Sequence, residues 1–85
     1  MAKGEISWKR RTEEGDKLQV YAHQTGDVWS FYVRPGRYEK WELVENPPWE
    51  DWQELLDGVR RRVARRLMRP EEVEHVEELI RQRFG

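Results

Sequence analysis

The sequence contains no cysteine and no long apolar run. Without cysteine, the chain forms neither disulfide bonds nor thiolate ligands for a metal. No stretch approaches the ~20 apolar residues that a membrane-spanning helix needs. The opening residues MAKGE lack the apolar segment of a secretory signal. We therefore expect a cytoplasmic protein that does not associate with membranes.

Signatures of catalysis are also lacking. The sequence has no Ser/His/Asp or Cys/His set and no glycine-rich phosphate loop. Its two histidines, His23 and His75, lie far apart and have no metal-ligand spacing around them. General acid–base catalysis by two carboxyl groups requires that their pKa values differ. Most carboxylates of this chain lie in segments rich in arginine, and this pattern does not single out such a pair. We therefore expect a protein that is not an enzyme and uses no cofactor.

Charge and aromatic rings are abundant. The 85 residues include 16 Lys or Arg and 17 Asp or Glu, so that the formal net charge is only −1. Five Trp, three Tyr and two Phe in periodic patterns indicate a folded chain, which we assign to one domain, 1–85. A domain this short buries only about 60–65% of its surface, so we expect a stabilising partner, most simply a homodimer. The Arg and Glu content is typical of a thermophilic source.

Four strands are predicted over about residues 5–44. Apolar and polar residues alternate in four stretches, which are 6–11, 18–23, 28–33 and 38–44. Short turns between them predict an antiparallel meander. The third turn, Arg34-Pro35-Gly36-Arg37, suits a two-residue type II loop, but that geometry splays a hairpin and so favours a longer loop.

Two helices are predicted after the strands. One apolar stripe with three- and four-residue spacing covers about residues 47–69, with Asn46 as its N-cap, and another covers about residues 70–84. Pro70 separates them. The fold class is therefore α+β, a four-stranded antiparallel meander sheet followed by a long helix and a shorter C-terminal helix. We expect the helices to cover the apolar face of the sheet.

Alternation along the strands sorts the side chains into two faces. One face is apolar and is predicted to hold Trp29, Phe31, Val33, Trp41 and Leu43. The other face is basic and aromatic, as in platforms for single-stranded nucleic acid, where cations neutralise phosphates and rings stack on bases. The candidate nucleic-acid-binding residues are Lys9, Arg11, Lys17, Tyr21, Tyr32, Arg34, Arg37, Tyr38 and Lys40.

Other interpretations of these residues stay open. Tyrosine is common in strands, and basic residues on an exposed sheet also discourage aggregation. We interpret the arginines of residues 60–69 as a solvated or mutually paired helix surface. Trp49 lies off the apolar stripe, where it either caps the core or belongs to a dimer interface. A slip of one residue in any predicted strand would move its side chains to the other face.

The segment from Gly36 onward resembles the C-terminal domain of the transcriptional coactivator positive cofactor four. A Gly-Arg turn, an apolar-x-Leu strand end and a Pro-initiated helix with Trp three residues before Leu carry the resemblance. The matching residues are Gly36-Arg37, Trp41-Glu42-Leu43, Asn46-Pro47-Pro48, and Trp52 with Leu55 and Val59. The order of four strands and a helix also matches over about residues 5–67, and proteins of the Pur-alpha and Whirly types share that architecture.

The resemblance implies binding of single-stranded DNA through a curved sheet and dimerisation through the helix. By position it gives the binding role to Lys9, Arg11, Lys17, Tyr32, Arg34 and Lys40. The leading hypothesis is a small protein that binds single-stranded DNA or RNA, as an accessory factor in transcription or replication. The alternative is a non-enzymatic protein-interaction or assembly module, which the acidic second helix and Trp49 favour.

Overall fold

The chain folds into two compact units in a computed structural model that describes residues 5–85. The first unit ends at Pro47 and is a β-sheet, while the second begins at Pro48 and is a pair of helices. Four antiparallel strands followed by two helices confirm the predicted α+β class. The assignment of the whole chain to one domain stays a prediction. No helix within residues 5–85 is long and apolar enough to cross a lipid bilayer.

The first unit is an antiparallel meander in which each strand pairs with the next along the chain. The strands are Glu5–Arg11 (β1), Lys17–Thr25 (β2), Val28–Arg34 (β3) and Glu42–Val44 (β4). Only two residues join β2 to β3. The first of them, Gly26, has a φ of +61°, as a type II′ hairpin turn requires. That turn holds the two strands in tight register.

The apolar face of the sheet follows the predicted alternation in the first three strands. Trp8 lies opposite Val20, and Ala22 lies opposite Phe31. The Trp8 ring meets the Phe31 ring edge-on, with 6.1 Å between the ring centroids. This face supplies all the buried apolar side chains of the three strands, which are Ile6, Val20, Ala22, Trp29 and Phe31.

The fourth strand departs from the prediction in length and in facing. It has three residues, and a seven-residue connection, 35–41, precedes it. The Glu39 N–H donates to the Gly36 carbonyl oxygen at 3.0 Å, so the chain turns later than predicted. Leu43 is the partner of Tyr32 in the pairing of β3 with β4, so the two side chains share a face. Phe31 lies on the other face. The prediction that Trp41 and Leu43 share the apolar face is wrong, because alternation was counted through residues that belong to a loop.

The second unit is a hairpin of two helices, Trp49–Ala64 (α1) and Glu71–Phe84 (α2). The Trp49 ring meets the Phe84 ring edge-on at 5.3 Å between centroids, and Arg60 forms an ion pair with Glu77 at 3.1 Å. The start of α1 thus lies beside the end of α2, as in an antiparallel pair. The buried apolar side chains of the unit are Trp52, Leu55, Leu56, Val59, Val76 and Ile80.

Both ends of α1 differ from the prediction. The N-cap is Pro48 and not Asn46, and the helix ends at Ala64 rather than near residue 69. At the C-terminal end the Arg66 N–H donates to the Val63 carbonyl, and the Leu67 N–H donates to the Arg62 carbonyl, which is a Schellman motif. Leu67, which falls within the predicted span of this helix, is 65% exposed because it lies beyond this cap.

The Schellman motif gives a prediction about stability. Its left-handed position is occupied by Arg66, with a φ of +62°, where glycine carries no steric cost. We expect Arg66→Gly to raise the free energy of unfolding by about 0.5–1 kcal/mol, measured by urea denaturation. Arg65→Gly is the matched control, since Arg65 has a φ of −92° and gains nothing from glycine. A lower stability for Arg66→Gly than for the unmodified protein would contradict the prediction.

Candidate nucleic-acid interface

Six of the nine predicted site residues lie together on one face of the sheet, the face that does not hold Phe31. We call it the tyrosine face. Every strand residue on it is exposed or half-buried, in contrast to the apolar face. The six site residues that it holds are Lys9, Arg11, Lys17, Tyr21, Tyr32 and Arg34.

The pairing of the strands arranges these side chains in rows across the sheet. One row, which we call the tyrosine row, runs through Ser7, Tyr21, Tyr32 and Leu43. The next row towards the β1–β2 turn runs through Lys9, Gln19 and Arg34, and we call it the cation row. Rows two residues apart along a strand are about 6.6–6.8 Å apart. Rings and cations therefore lie side by side on one surface.

The other three predicted site residues do not lie on a strand. Arg37, Tyr38 and Lys40 belong to the connection 35–41 and are exposed, and Tyr38 is 92% exposed. The strand placement predicted for Tyr38 and Lys40 is therefore wrong. Their part in binding nucleic acid stays a prediction.

Three aromatic rings form a cluster on the tyrosine face. Tyr21 and Tyr32 stack with 4.9 Å between centroids and 17° between ring planes. Trp41 meets Tyr21 edge-on at 4.6 Å. Sequence reasoning assigned Trp41 to the apolar face and so missed it. The polar run from Arg37 to Lys40 is typical of a loop, and a loop changes which face of the sheet the following residues occupy. This run is the signal that could have placed Trp41 on the tyrosine face.

Arg34 is held in place by two neighbours. Its Nε donates a hydrogen bond of 2.6 Å to the Gln19 Oε1, and its guanidinium carbon lies 4.3 Å from the centre of the Trp41 ring. Within residues 5–85, Arg34 has no other hydrogen bond or ion pair. Its two terminal amino groups are therefore available to an anion.

A depression of about 600 Å³ lies where the two rows meet. Its wall includes Ser7, Lys9, Gln19, Tyr21, Arg34 and Trp41, with Glu5 at one end. This volume falls within the range of small-molecule pockets and is sufficient for a nucleotide. The depression is lined by two cations and by three aromatic residues, which are Trp8, Tyr21 and Trp41.

Positive charge is concentrated towards one end of the tyrosine face. Lys9, Arg11, Lys17 and Arg34 lie on the two rows nearest the β1–β2 turn. Glu5 is the one carboxylate among the strand residues of this face in the described part of the chain, and its Oε2 lies 3.5 Å from the His23 Nδ1 at the far end. The strand residues thus present four cations to a ligand on this face.

The hydroxyl of Tyr21 has a raised pKa. Partial burial is the main cause that raises its pKa above the ordinary value of 10.0, followed by the charges of Tyr32 and Glu5. A raised pKa means that the folded protein holds this proton to higher pH than the unfolded chain. The stabilising contribution is therefore complete below pH 10 and is lost as pH rises through the folded pKa.

We accordingly predict that Tyr21→Phe flattens the alkaline fall in stability. The urea midpoint of the unmodified protein should drop more than that of the variant as pH rises above about 10. Absorbance of tyrosinate over the same range gives the independent measurement, since the variant should lose a component that ionises above the ordinary pKa of 10.0. Equal slopes for the two proteins would contradict the prediction.

The arginines of the second unit are mostly unpaired. Arg60 pairs with Glu77, as the expectation of a mutually paired surface requires. The other arginines of residues 60–69 make no ion pair within the described part of the chain, and these are Arg61, Arg62, Arg65, Arg66 and Arg69. The paired interpretation is thus confirmed for Arg60 alone, and the remaining arginines fit a solvated surface.

A metal site is not formed by the described residues, since no group of three or more His, Asp or Glu side chains within 5–85 could hold an ion.

Comparison with known proteins finds no matching family model, no matching curated protein and no matching solved structure. The resemblance to the positive cofactor four family therefore stays a prediction.

Proposed function

We propose that the protein binds single-stranded DNA or RNA through the tyrosine face and performs no catalysis. The observation that carries the proposal is the adjacency of the tyrosine row and the cation row on one accessible surface. Phosphates bind cations in any sequence, and every base has a face that stacks on an aromatic ring. Such a surface favours binding without sequence preference.

The aromatic cluster suggests different tasks for its rings. Tyr21 contacts both Tyr32 and Trp41, so we assign it to supporting the other two rings. Tyr32 and the exposed Tyr38 are the rings that we propose to stack on bases. Each stacked base contributes about 1–3 kcal/mol to binding. These two rings, together with the four cations of the tyrosine face, are consistent with a weak, salt-dependent interaction.

A homodimer and a cytoplasmic accessory role in transcription or replication belong to the same proposal. The small size of the chain supports the homodimer, because a short domain gains stability from a partner. The resemblance to positive cofactor four supports the accessory role. Sedimentation measured with and without an oligonucleotide tests the dimer.

The direct test is titration of a fluorescein-labelled oligodeoxythymidine and an oligouridine at several salt concentrations. The logarithm of the affinity should fall with the logarithm of salt, with a slope near −0.7 for each phosphate contact. The double variant Lys9→Gln/Arg34→Gln should reduce that slope by about 1.4, since it removes two contacts. No binding at about 50 mM salt would end the proposal.

A charge-matched control separates the tyrosine face from charge in general. Arg65→Gln/Arg69→Gln removes the same two charges from unpaired arginines of the second unit. This variant should keep the salt slope and most of the affinity. If it weakens binding as much as Lys9→Gln/Arg34→Gln does, the tyrosine face is not the specific site.

The protein-interaction module is the second candidate. Trp49 and Phe84 support it, because the two contacting rings are 50% and 46% exposed at one end of the helical hairpin. This function predicts that charge reversal at Glu71, Glu74 and Glu78 abolishes partner binding while Arg34 and Lys40 variants behave normally. A pull-down with the opposite pattern would reject it.

A further inference from the structure

We propose that the cation row is a phosphate subsite that prefers the terminal phosphate of a nucleic-acid strand to an internal phosphodiester. The inference rests on the proposed function, since it names the part of a single strand that this surface takes best. Three donors contributed by three adjacent strands carry it. They are the Lys9 ammonium, the Gln19 amide and the Arg34 guanidinium.

The register of the sheet brings these donors together. Lys9 lies opposite Gln19, and Gln19 lies opposite Arg34. Neighbouring strands are about 4.8 Å apart, so the backbones of Lys9 and Arg34 are separated by about 10 Å with Gln19 between them. Both long side chains line the same depression of about 600 Å³. A tetrahedral anion above Gln19 is within reach of both cations.

Arg34 is preorganised for such an anion. Its Nε is bonded to Gln19 and its guanidinium carbon lies 4.3 Å from the centre of the Trp41 ring, so the side chain gives up little conformational freedom on binding. The two terminal amino groups form the fork that binds two phosphate oxygens at once. Because the Gln19 Oε1 accepts from Arg34, its amide NH₂ remains as a further donor.

The charges favour binding of a terminal phosphate of the nucleic acid over binding of an internal phosphodiester. Lys9 and Arg34 supply two positive charges, and a terminal phosphate carries about −1.5 to −2 at pH 7, whereas an internal phosphodiester carries about −1. Glu5 lies at the other end of the same depression and repels a second phosphate there. An oligonucleotide that begins in the depression has no phosphate on the far side of its first nucleotide and so avoids this repulsion, with its first base directed towards the tyrosine row.

The experiment compares three oligonucleotides of one sequence, with a 5′-phosphate, with a 3′-phosphate and with neither. At pH 7.5, one of the phosphorylated forms should bind about tenfold more tightly than the unphosphorylated form, as charge-assisted hydrogen bonds allow. The preference should shrink below pH 6, where the terminal phosphate loses its second charge. Equal affinities for all three at pH 7.5 would overturn the inference.

Two variants test the subsite itself. Arg34→Lys keeps the charge but loses the fork, and Lys9→Gln loses one charge, so each should abolish the terminal preference while the unphosphorylated strand still binds. Lys17→Gln, on the tyrosine face but outside the depression, is the control and should keep the preference. Loss of preference in Lys17→Gln alone would overturn the assignment of Lys9 and Arg34.

The outcomes separate this inference from the proposed function. An unphosphorylated strand that binds, with nothing gained from a terminal phosphate, rejects the subsite and leaves the proposed function standing. Binding of a phosphorylated mononucleotide that Arg34→Lys abolishes, with no binding of the unphosphorylated strand, supports the subsite and rejects the proposed function.

Discussion

Replacement of Phe31 by alanine is expected to lower the free energy of unfolding by about 3–5 kcal/mol, the largest effect of any substitution discussed for this chain. The Phe31 side chain is 1% exposed and lies on the apolar face against Trp8. Its removal takes buried surface away and leaves a cavity. Since a small domain has only about 5–15 kcal/mol of stability, this loss removes a large fraction of it and should lower the urea midpoint strongly.

Urea denaturation followed by circular dichroism measures this effect. Phe31→Leu is the matched control, because it keeps most of the apolar volume and should cost much less than Phe31→Ala. A midpoint for Phe31→Ala close to that of the unmodified protein would mean that the apolar face is not a core. The inward orientation of Trp8 and Phe31 would then be wrong.

Replacement of Tyr32 by alanine is expected to weaken oligonucleotide binding by about 5- to 150-fold, which corresponds to the loss of one stacked base. Tyr32 is half-buried and stacks on Tyr21, so the loss of stability should be smaller than for Phe31. Fluorescence anisotropy with oligodeoxythymidine gives the affinity, and urea denaturation of the same sample gives the stability.

The control for this second prediction is Tyr32→Phe. It keeps the ring and removes only the hydroxyl, so a stacking role requires near-normal affinity. An unchanged affinity in Tyr32→Ala would remove stacking from the proposed mechanism. Because Phe31 and Tyr32 are adjacent in sequence, opposite phenotypes for the two alanine variants would also verify the two-faced sheet in solution.

The first three strands could be predicted from the sequence because their side chains alternate between a buried and an accessible face. Ile6, Val20 and Phe31 are buried, while Lys9, Gln19 and Tyr32 lie on the other side. That contrast has the two-residue period of a strand. The tyrosine face, with Lys9, Tyr21 and Arg34, followed from it directly.

The fourth strand and the placement of Trp41 could not be predicted in this way. Pro35-Gly36 is typical of a turn, but the hydrogen bond that closes the turn joins Gly36 to Glu39. The alternation of side chains between the two faces does not continue through a loop of unknown length. Counting it through the loop therefore placed Trp41 and Leu43 on the wrong face. Trp41, which positions Arg34, was therefore assigned to the wrong side.

The end of α1 was missed for another reason. The apolar spacing continues through Leu67, and no glycine marks the left-handed residue of the cap, which is Arg66. Pro70 was the visible helix breaker, but the helix ends six residues earlier. Backbone hydrogen bonds of the Schellman motif, which leave no clear trace in side-chain chemistry, determine this boundary.

The strand order has a kinetic consequence. Each strand of the meander pairs with its immediate successor along the chain, and α1 pairs with α2 across a short connection. Closing short loops costs little chain entropy, and small proteins dominated by such local contacts reach the native state fastest. Each of the two units can consequently form its own pairings as soon as its residues have been synthesised, without contacts to residues far along the chain.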